Sequence, residues 1–248
     1  MERYIGCSGY YYNHWKGLFY PDGLAKTKWL IFYSDHFNTV ELNNSFYRMP
    51  QESAIKNWYS ITPDDFVFSV KGYRYFTHLK RLIIDNDFRR YFKDFMHLVS
   101  GFKEKTGPVL WQFPGSFRAD AERLSGFCKI LPSDFFHVFE FRHQSWFNTE
   151  ILTILEKYGH SLCTVSSPGS SGKILDKRAE LVYIRFHGEG FWYRDNYSNE
   201  ALEEWKHELD AKKSDRLYAY FNNDMNAYAV NNALFLKALY ENEPSRVK

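Results

Sequence analysis

Four apolar segments of this chain share a peculiarity: charged or amide side chains at alternate positions toward their C-terminal ends. They read TVELNNSFY (39–47), FVFSVKGY (66–73), HVFEFRHQSW (137–146) and VYIRFHGEG (182–190). Successive side chains of a strand point to opposite faces. Val40 and Leu42 therefore share one face and Glu41 and Asn43 the other. The same rule sets Val70 against Lys71, Phe139 and Phe141 against Glu140 and Arg142, and Ile184 and Phe186 against Arg185 and His187. The apolar face is the one expected to meet helices. A polar inner face toward the strand ends is how a (β/α)8 barrel presents a site.

The pattern extends along the chain. Strands are predicted near 4–8, 39–43, 66–71, 109–112, 136–141, 161–165, 181–187 and 217–222. Helical periodicity lies between most of them: 25–36, 87–102, 121–130, 149–158, 199–209 and 226–240. In 87–102 the stripe is formed by Phe88, Tyr91, Phe92, Phe95, Leu98 and Val99. Alternation of strand and helix predicts parallel strands with crossover helices. A doubly wound sheet would call for a glycine-rich phosphate loop after an early strand. Here the first strand runs into GYYYNHWKGLFYPDG, which matches neither glycine motif. The expected fold is thus a closed, parallel (β/α)8 TIM-type barrel, a single domain over residues 1–248. PGSSG (168–172) reads as a loop after strand six.

Composition narrows the class further. A length of 248 residues suits one such barrel, and aromatics reach 20%, so most rings must be packing and only a minority ligand-facing. The net charge of +2 leaves any basic patch local. Cys7, Cys128 and Cys163 form an odd set without CxxC spacing, which predicts free thiols in a reducing compartment. With no signal-peptide pattern and no long apolar run, a cytoplasmic protein without membrane association is expected.

The strand ends gather Ser8, Glu41, Asn43, Lys71, Gln112, Glu140, Arg142, Arg185, His187, Asn222 and Asn223. Charges inside a barrel must pair, hydrogen-bond or face a wet pocket. A purely structural network, such as Glu140 with Arg185 and Glu41 with Lys71, would also satisfy them. Glu41 and Glu140 invite a glycosidase reading. The cations Lys71, Arg142 and Arg185, with His78 and Lys80 nearby, point instead to a phosphate or carboxylate ligand. KGYRYFTHLKRL (71–82) interleaves basic and aromatic residues, so it is also a candidate nucleic-acid loop. A Glu41/Glu140/His187 metal set lacks HxxxH or HxH spacing and is opposed by the cations, so no metal or other cofactor is expected.

The motifs IGCSGYYYNHWKGLFYPDGL, FNTVELNNSFYRMP, FVFSVKGYRYFTHLKRL, GPVLWQFPGSF, FEFRHQSWF, YIRFHG and YAYFNNDMNAYAVNNAL occur in this order from about Tyr4 to Leu239. In this the chain closely resembles the DUF72, or YecE-like, family. The resemblance implies a TIM-type barrel and carries no established activity with it. Its matched positions include the strand-end residues above, together with Phe46, Thr77, His78, Lys80 and Trp146. One departure follows strand six, where Ser166 and Ser167 stand in place of an expected Asp, which removes an acid or metal role there. The leading expectation is a hydrolase or lyase acting on a phosphoester, nucleotide or sugar phosphate. Glu41 or Glu140 would be the base, His187 the acid–base partner, and Arg142, Arg185 and Lys71 the anion clamp. Asn43, Gln112 and Asn222 would orient the substrate, with Ser8, His78, Lys80, Trp146 and Asn223 as further binding residues. A non-catalytic module for nucleic acid or a protein partner is the second reading, and glycoside hydrolysis the third.

Overall fold

The structure, a computed structural model, describes residues 1–169 and 180–241. Among the described residues nine strands form: β1 (Glu2–Cys7), β2 (Thr39–Leu42), β3 (Val67–Lys71), β4 (Thr106–Gln112), β5 (His137–Glu140), β6 (Ser161–Leu162), β7 (Thr164–Ser166), β8 (Leu181–Phe186) and β9 (Arg216–Phe221). The helices are α1 (Trp29–Ser34), α2 (Asn44–Tyr47), α3 (Glu52–Ile61), α4 (Asn86–Ser100), α5 (Ala121–Ile130), α6 (Thr149–Lys157), α7 (Asn199–Ala211) and α8 (Tyr228–Glu241). Part of the loop expected after strand six lies outside the described residues. The chain divides into two compact units, one made of 1–40 with 164–248, the other of 41–163.

In the contiguous unit the sheet order is β2-β3-β4-β5-β6, with parallel ladders from β3 through β6. Trp111 lies beside Phe139 in the ladder, and both meet helices. The indole contacts Phe92 and Phe95 of α4 at 6.0 and 5.9 Å and Phe127 of α5 at 5.0 Å. Phe139 reaches the same Phe127 at 6.2 Å. Its ladder neighbours one residue on, Gln112 and Glu140, take the opposite face. Side-chain caps begin the helices: Asp85 accepts Phe88 N–H, Asp120 accepts Arg123 N–H and Asn148 accepts Ile151 N–H.

In the other unit the order is β1-β9-β8-β7, all parallel. Phe186 stacks on Phe221 at 4.3 Å and meets Trp205 of α7 at 5.5 Å, so this face packs on helices as the parity predicts. The other face is built in rows. Tyr4, Tyr218 and Tyr183 align across the ladders, and Gly6, Tyr220, Arg185 and Val165 form the next row.

Among the described residues, the strands form two sheets rather than the single closed ladder expected. Two local features account for this. Strand six is broken at Cys163: Ser161–Leu162 pairs with β5, whereas Thr164–Ser166 pairs with β8. Between β1 and the start of β2, a hydroxyl stands in for a direct ladder bond. Cys7 N–H donates to Tyr33 Oη at 2.8 Å, and that hydroxyl donates to the Thr39 carbonyl at 3.0 Å. Gly6 is required at this seam, because a Cβ there would collide with the Thr39 carbonyl and lie 2.8 Å from Tyr33 Oη.

Candidate functional site

The contiguous unit concentrates charge around Phe46 of α2. Lys71 ends β3 with its ammonium 4.2 Å above the Phe46 ring, and the Arg74 guanidinium lies 6.0 Å from the same ring. Ser45 Oγ donates to the Lys71 carbonyl at 2.7 Å and ties α2 to the strand end. Arg74 Nε is buried and has no hydrogen-bond partner among the described residues. A π-helical turn over Tyr75–Leu79 then brings the His78 ring edge-on to Phe46 at 4.9 Å. Such turns are rare and recur at functional sites. Arg81 and Leu82 follow it at φ 46° and 61°, conformations that cost non-glycine residues energy.

Glu140 ends β5 fully enclosed. Its Oε1 accepts from Gln112 Nε2 at 2.7 Å and from Arg142 Nε at 2.9 Å. Gln112 is held in place by strand register, and Arg142 stays 31% exposed, joining the buried carboxylate to solvent. The electrostatics of His78 show that these groups form one neighbourhood. Burial pushes its pKa down to about 4, Lys71, Arg74 and Arg142 push the same way in that order, and Glu140 opposes them. His78 is therefore neutral at pH 7, with Nδ1 2.9 Å from Thr77 Oγ1. Arg74 was expected only as a basic residue of the 71–82 loop, not as a strand-end ligand. It lies beyond the strand, where face parity has no reach.

The other expected residues of this unit divide. Glu41 is fully buried on β2, and the following Asn43 keeps a buried Oδ1 with no hydrogen-bond partner among the described residues. Two of the expected residues are engaged elsewhere. Lys80 bonds to Asp85 at 2.5 Å, and Asp85 in turn caps α4, so this cation tethers a helix entry. Trp146, expected to bind ligand, is sealed in packing. It stacks on Phe141 at 4.7 Å, meets Phe113 and Phe117 edge-on at 5.2 Å, and spends its indole N–H on the Phe117 carbonyl.

The second unit carries its own cluster at the ends of β8 and β9. Arg185 and His187 are fully buried on the inner face of β8, with Nη1 3.4 Å from Nε2. A guanidinium only donates, so Nε2 accepts and the ring proton sits on Nδ1. Asn222 Nδ2 lies 3.1 Å from Nδ1, so the amide must turn over to offer its oxygen to that proton. Ser8 is buried, its carbonyl accepting from Tyr12 Oη at 2.6 Å. Asn223 donates to the Asp195 carbonyl and to Asn232 Oδ1 at 2.7 and 2.8 Å, which makes it a bracket for the loop after β8. Ser166 Oγ lies 2.8 Å from Tyr197 Oη, whose oxygen also accepts Gly188 N–H at 3.0 Å. The hydroxyl at this departure from the family pattern is thus part of the loop's anchoring.

Sequence reading missed a further pair, His14 Nε2 to Asp224 Oδ2 at 3.2 Å. Burial raises the Asp224 pKa, partly offset by backbone hydrogen bonding and His14. Nothing in the spacing of residues 210 positions apart announces it. Among the described residues, no three His, Cys, Asp or Glu side chains gather as a metal site would need, and no helix is long and apolar enough to cross a membrane.

The sequence profile described as "Protein of unknown function DUF72" matches residues 4–248. The chain belongs to the DUF72 family. It is 29% identical to the UPF0759 protein YunF of Bacillus subtilis, over 98% of this chain and 96% of that one. A crystal structure of a DUF72 family protein from Thermotoga maritima superposes with a TM-score of 0.83 at 28% identity, covering 97% of this chain and all of that one. D-psicose 3-epimerase, at 10% identity, matches with a TM-score of 0.61 over 97% of this chain and 98% of its own. That last likeness concerns fold alone.

Proposed function

We propose that this DUF72 protein is an enzyme, a hydrolase or lyase, that binds a small anionic substrate at its strand ends. The observation that carries the reading is the geometry around Phe46, where the Lys71 ammonium and the Arg74 guanidinium lie 4.2 and 6.0 Å from one ring and Arg74 Nε is buried without a hydrogen-bond partner among the described residues. A buried guanidinium N–H with no partner of its own, beside a second cation, is a site that an anion can satisfy. Lys71, Arg74 and Arg142 would hold that anion. Glu140, oriented by Gln112 and Arg142, would serve as base, and Glu41 is the alternative carboxylate. Neutral His78 would exchange hydrogen bonds with substrate. His187 fits a different part from the acid–base role first expected, because its Nε2 faces a permanent donor. It would position Arg185 instead. The commitment of Lys80 to Asp85 weakens the nucleic-acid reading of 71–82.

The test is calorimetric titration with inorganic phosphate. Wild-type protein should bind, and Arg74→Met should weaken binding about tenfold, the worth of one charge-assisted contact, without lowering the melting temperature. Failure of the wild type to bind phosphate or sulfate would leave these charges as scaffolding. We further propose the closed eight-stranded barrel for the whole chain. Support comes from the strand–helix alternation and the fold likeness to D-psicose 3-epimerase. A crystal structure with an open sheet would overturn it.

A further inference from the structure

An asparagine just ahead of a helix ordinarily spends its side-chain oxygen on a backbone N–H of the first turn. Asn43 does not. It precedes α2 with helical backbone angles, φ −93° and ψ −20°, and makes no side-chain cap. Phe46 N–H goes instead to the Asn43 backbone carbonyl at 3.1 Å. Asn43 Oδ1 is left buried without a hydrogen-bond partner among the described residues, as is Arg74 Nε. The first atom can only accept and the second can only donate. Each is what the other lacks, yet they do not bond to one another. A buried polar atom without a partner costs free energy, so two of opposite sense in one neighbourhood point to a molecule that carries both missing groups.

The neighbourhood lies wholly within the contiguous unit. Ser45 Oγ is 3.0 and 2.7 Å from the Leu42 and Lys71 carbonyls, so one hydroxyl clasps the ends of β2 and β3. Asn43 follows Leu42 directly, and Arg74 comes three residues after Lys71. Gly72 pins the chain between them, since a Cβ there would collide with the Trp111 indole. Phe46 is one turn on from Asn43 and carries the Lys71 ammonium and the Arg74 guanidinium at 4.2 and 6.0 Å from its ring. Tyr47, the next residue, is 68% exposed, so the cluster borders solvent. A ligand here needs an anionic oxygen for Arg74 and, on the same molecule, a donor for Asn43. Guanidinium and ammonium groups side by side fit phosphate oxygens. A phosphate monoester dianion offers acceptors alone, so the donor must come from the rest of the molecule. An amine would bring a third positive charge beside Lys71 and Arg74, which favours a hydroxyl. We infer that the substrate is the phosphate monoester of a polyol or sugar, a free hydroxyl donating to Asn43 Oδ1 while the phosphoryl group accepts from Arg74 Nε. The inference rests on the anionic-substrate reading above and names the class of substrate.

The experiment titrates the full chain by calorimetry with inorganic phosphate, n-propyl phosphate and glycerol 3-phosphate, the two esters differing only in their hydroxyls. Glycerol 3-phosphate should bind about tenfold more tightly than propyl phosphate, the worth of one hydrogen bond to an acceptor otherwise left unpaired. Asn43→Leu, similar in shape but without the acceptor, should erase that preference and leave the propyl phosphate affinity unchanged. Its melting temperature should equal or exceed that of the wild type, because no hydrogen bond of Oδ1 is broken. Asn43→Asp keeps an acceptor and should keep the preference, while its charge weakens both esters alike. Equal binding of the two esters by the wild type would mean that water serves Asn43 as well as a hydroxyl does; that overturns the inference and leaves the anion site standing. A preference that survives in Asn43→Leu overturns it too, as does a melting temperature far below the wild type, which would make Asn43 scaffolding. No binding of any probe overturns both readings at once.

Discussion

His137 illustrates how a residue that looks reactive can be wholly spoken for. Its Nδ1 accepts the Trp111 indole N–H at 3.1 Å, and its Nε2–H donates to the Pro132 carbonyl at 2.9 Å. Both nitrogens are satisfied only in the neutral ring, and burial drives its pKa down to about 3. In the unfolded chain the same group titrates near 6.5. The folded state therefore binds fewer protons between these values. Stability is complete above about pH 6.5 and is lost as pH falls toward 3, by at most about 1.4 kcal/mol per pH unit for this group. His78, with a pKa near 4 but partial exposure, adds a smaller loss of the same sign. Urea unfolding at pH 7 and pH 5 should show the decline, and His137→Gln should make it shallower. Identical slopes for the two proteins would mean that His137 protonates as easily folded as unfolded.

At the scale of elements, one phenol bridges the seam between β1 and the start of β2. Tyr33→Phe removes the hydroxyl while keeping the ring, and leaves Cys7 N–H and the Thr39 carbonyl buried without it. Cys7 N–H loses its acceptor, and an orphaned backbone group costs about 1–3 kcal/mol, so a loss of that size is expected in urea unfolding. A loss under about 0.5 kcal/mol would mean that water or a direct bond replaces the phenol. Most element positions were legible beforehand, because inward charges and outward rings alternate with period two. Phe139 and Phe186 meet helices as that parity requires. Helix α3 was not legible, since Ile55 is its one buried residue and a single position makes no stripe. The break at Cys163 was equally hidden, because 161–165 keeps strand-like residues throughout. Parity set Gln112 and Glu140 on the face opposite Trp111 and Phe139 in one unit, and Arg185 opposite Phe186 in the other. It had no hold on Arg74, which arrives through a turn, or on Trp146, where the strand has already ended and the ring folds back onto Phe141.

For the whole molecule, the three cysteines test how tightly each unit closes. All are buried and free; burial pushes the Cys128 thiol up to about 12 and Cys7 beyond the ordinary thiol range. Thiolate is the reactive form, so native protein should resist a thiol-specific reagent while denatured protein takes up three labels. Rapid labelling of one site in native protein would locate a unit that opens well below the global unfolding threshold. The ladder order also bears on how the chain is made. Among the described residues β1 ladders with β9 alone, Glu2 beside Arg216, whereas residues 41–163 form a unit in one run of sequence. On the ribosome the contiguous unit can collapse as soon as it emerges, since domains fold as units during synthesis. The N-terminal strand meanwhile waits, edge open, for nearly the entire remainder to be translated. The residues of β1 are made long before those of β9, and that wait is where a nascent chain of this design is most exposed to chaperones and to its neighbours.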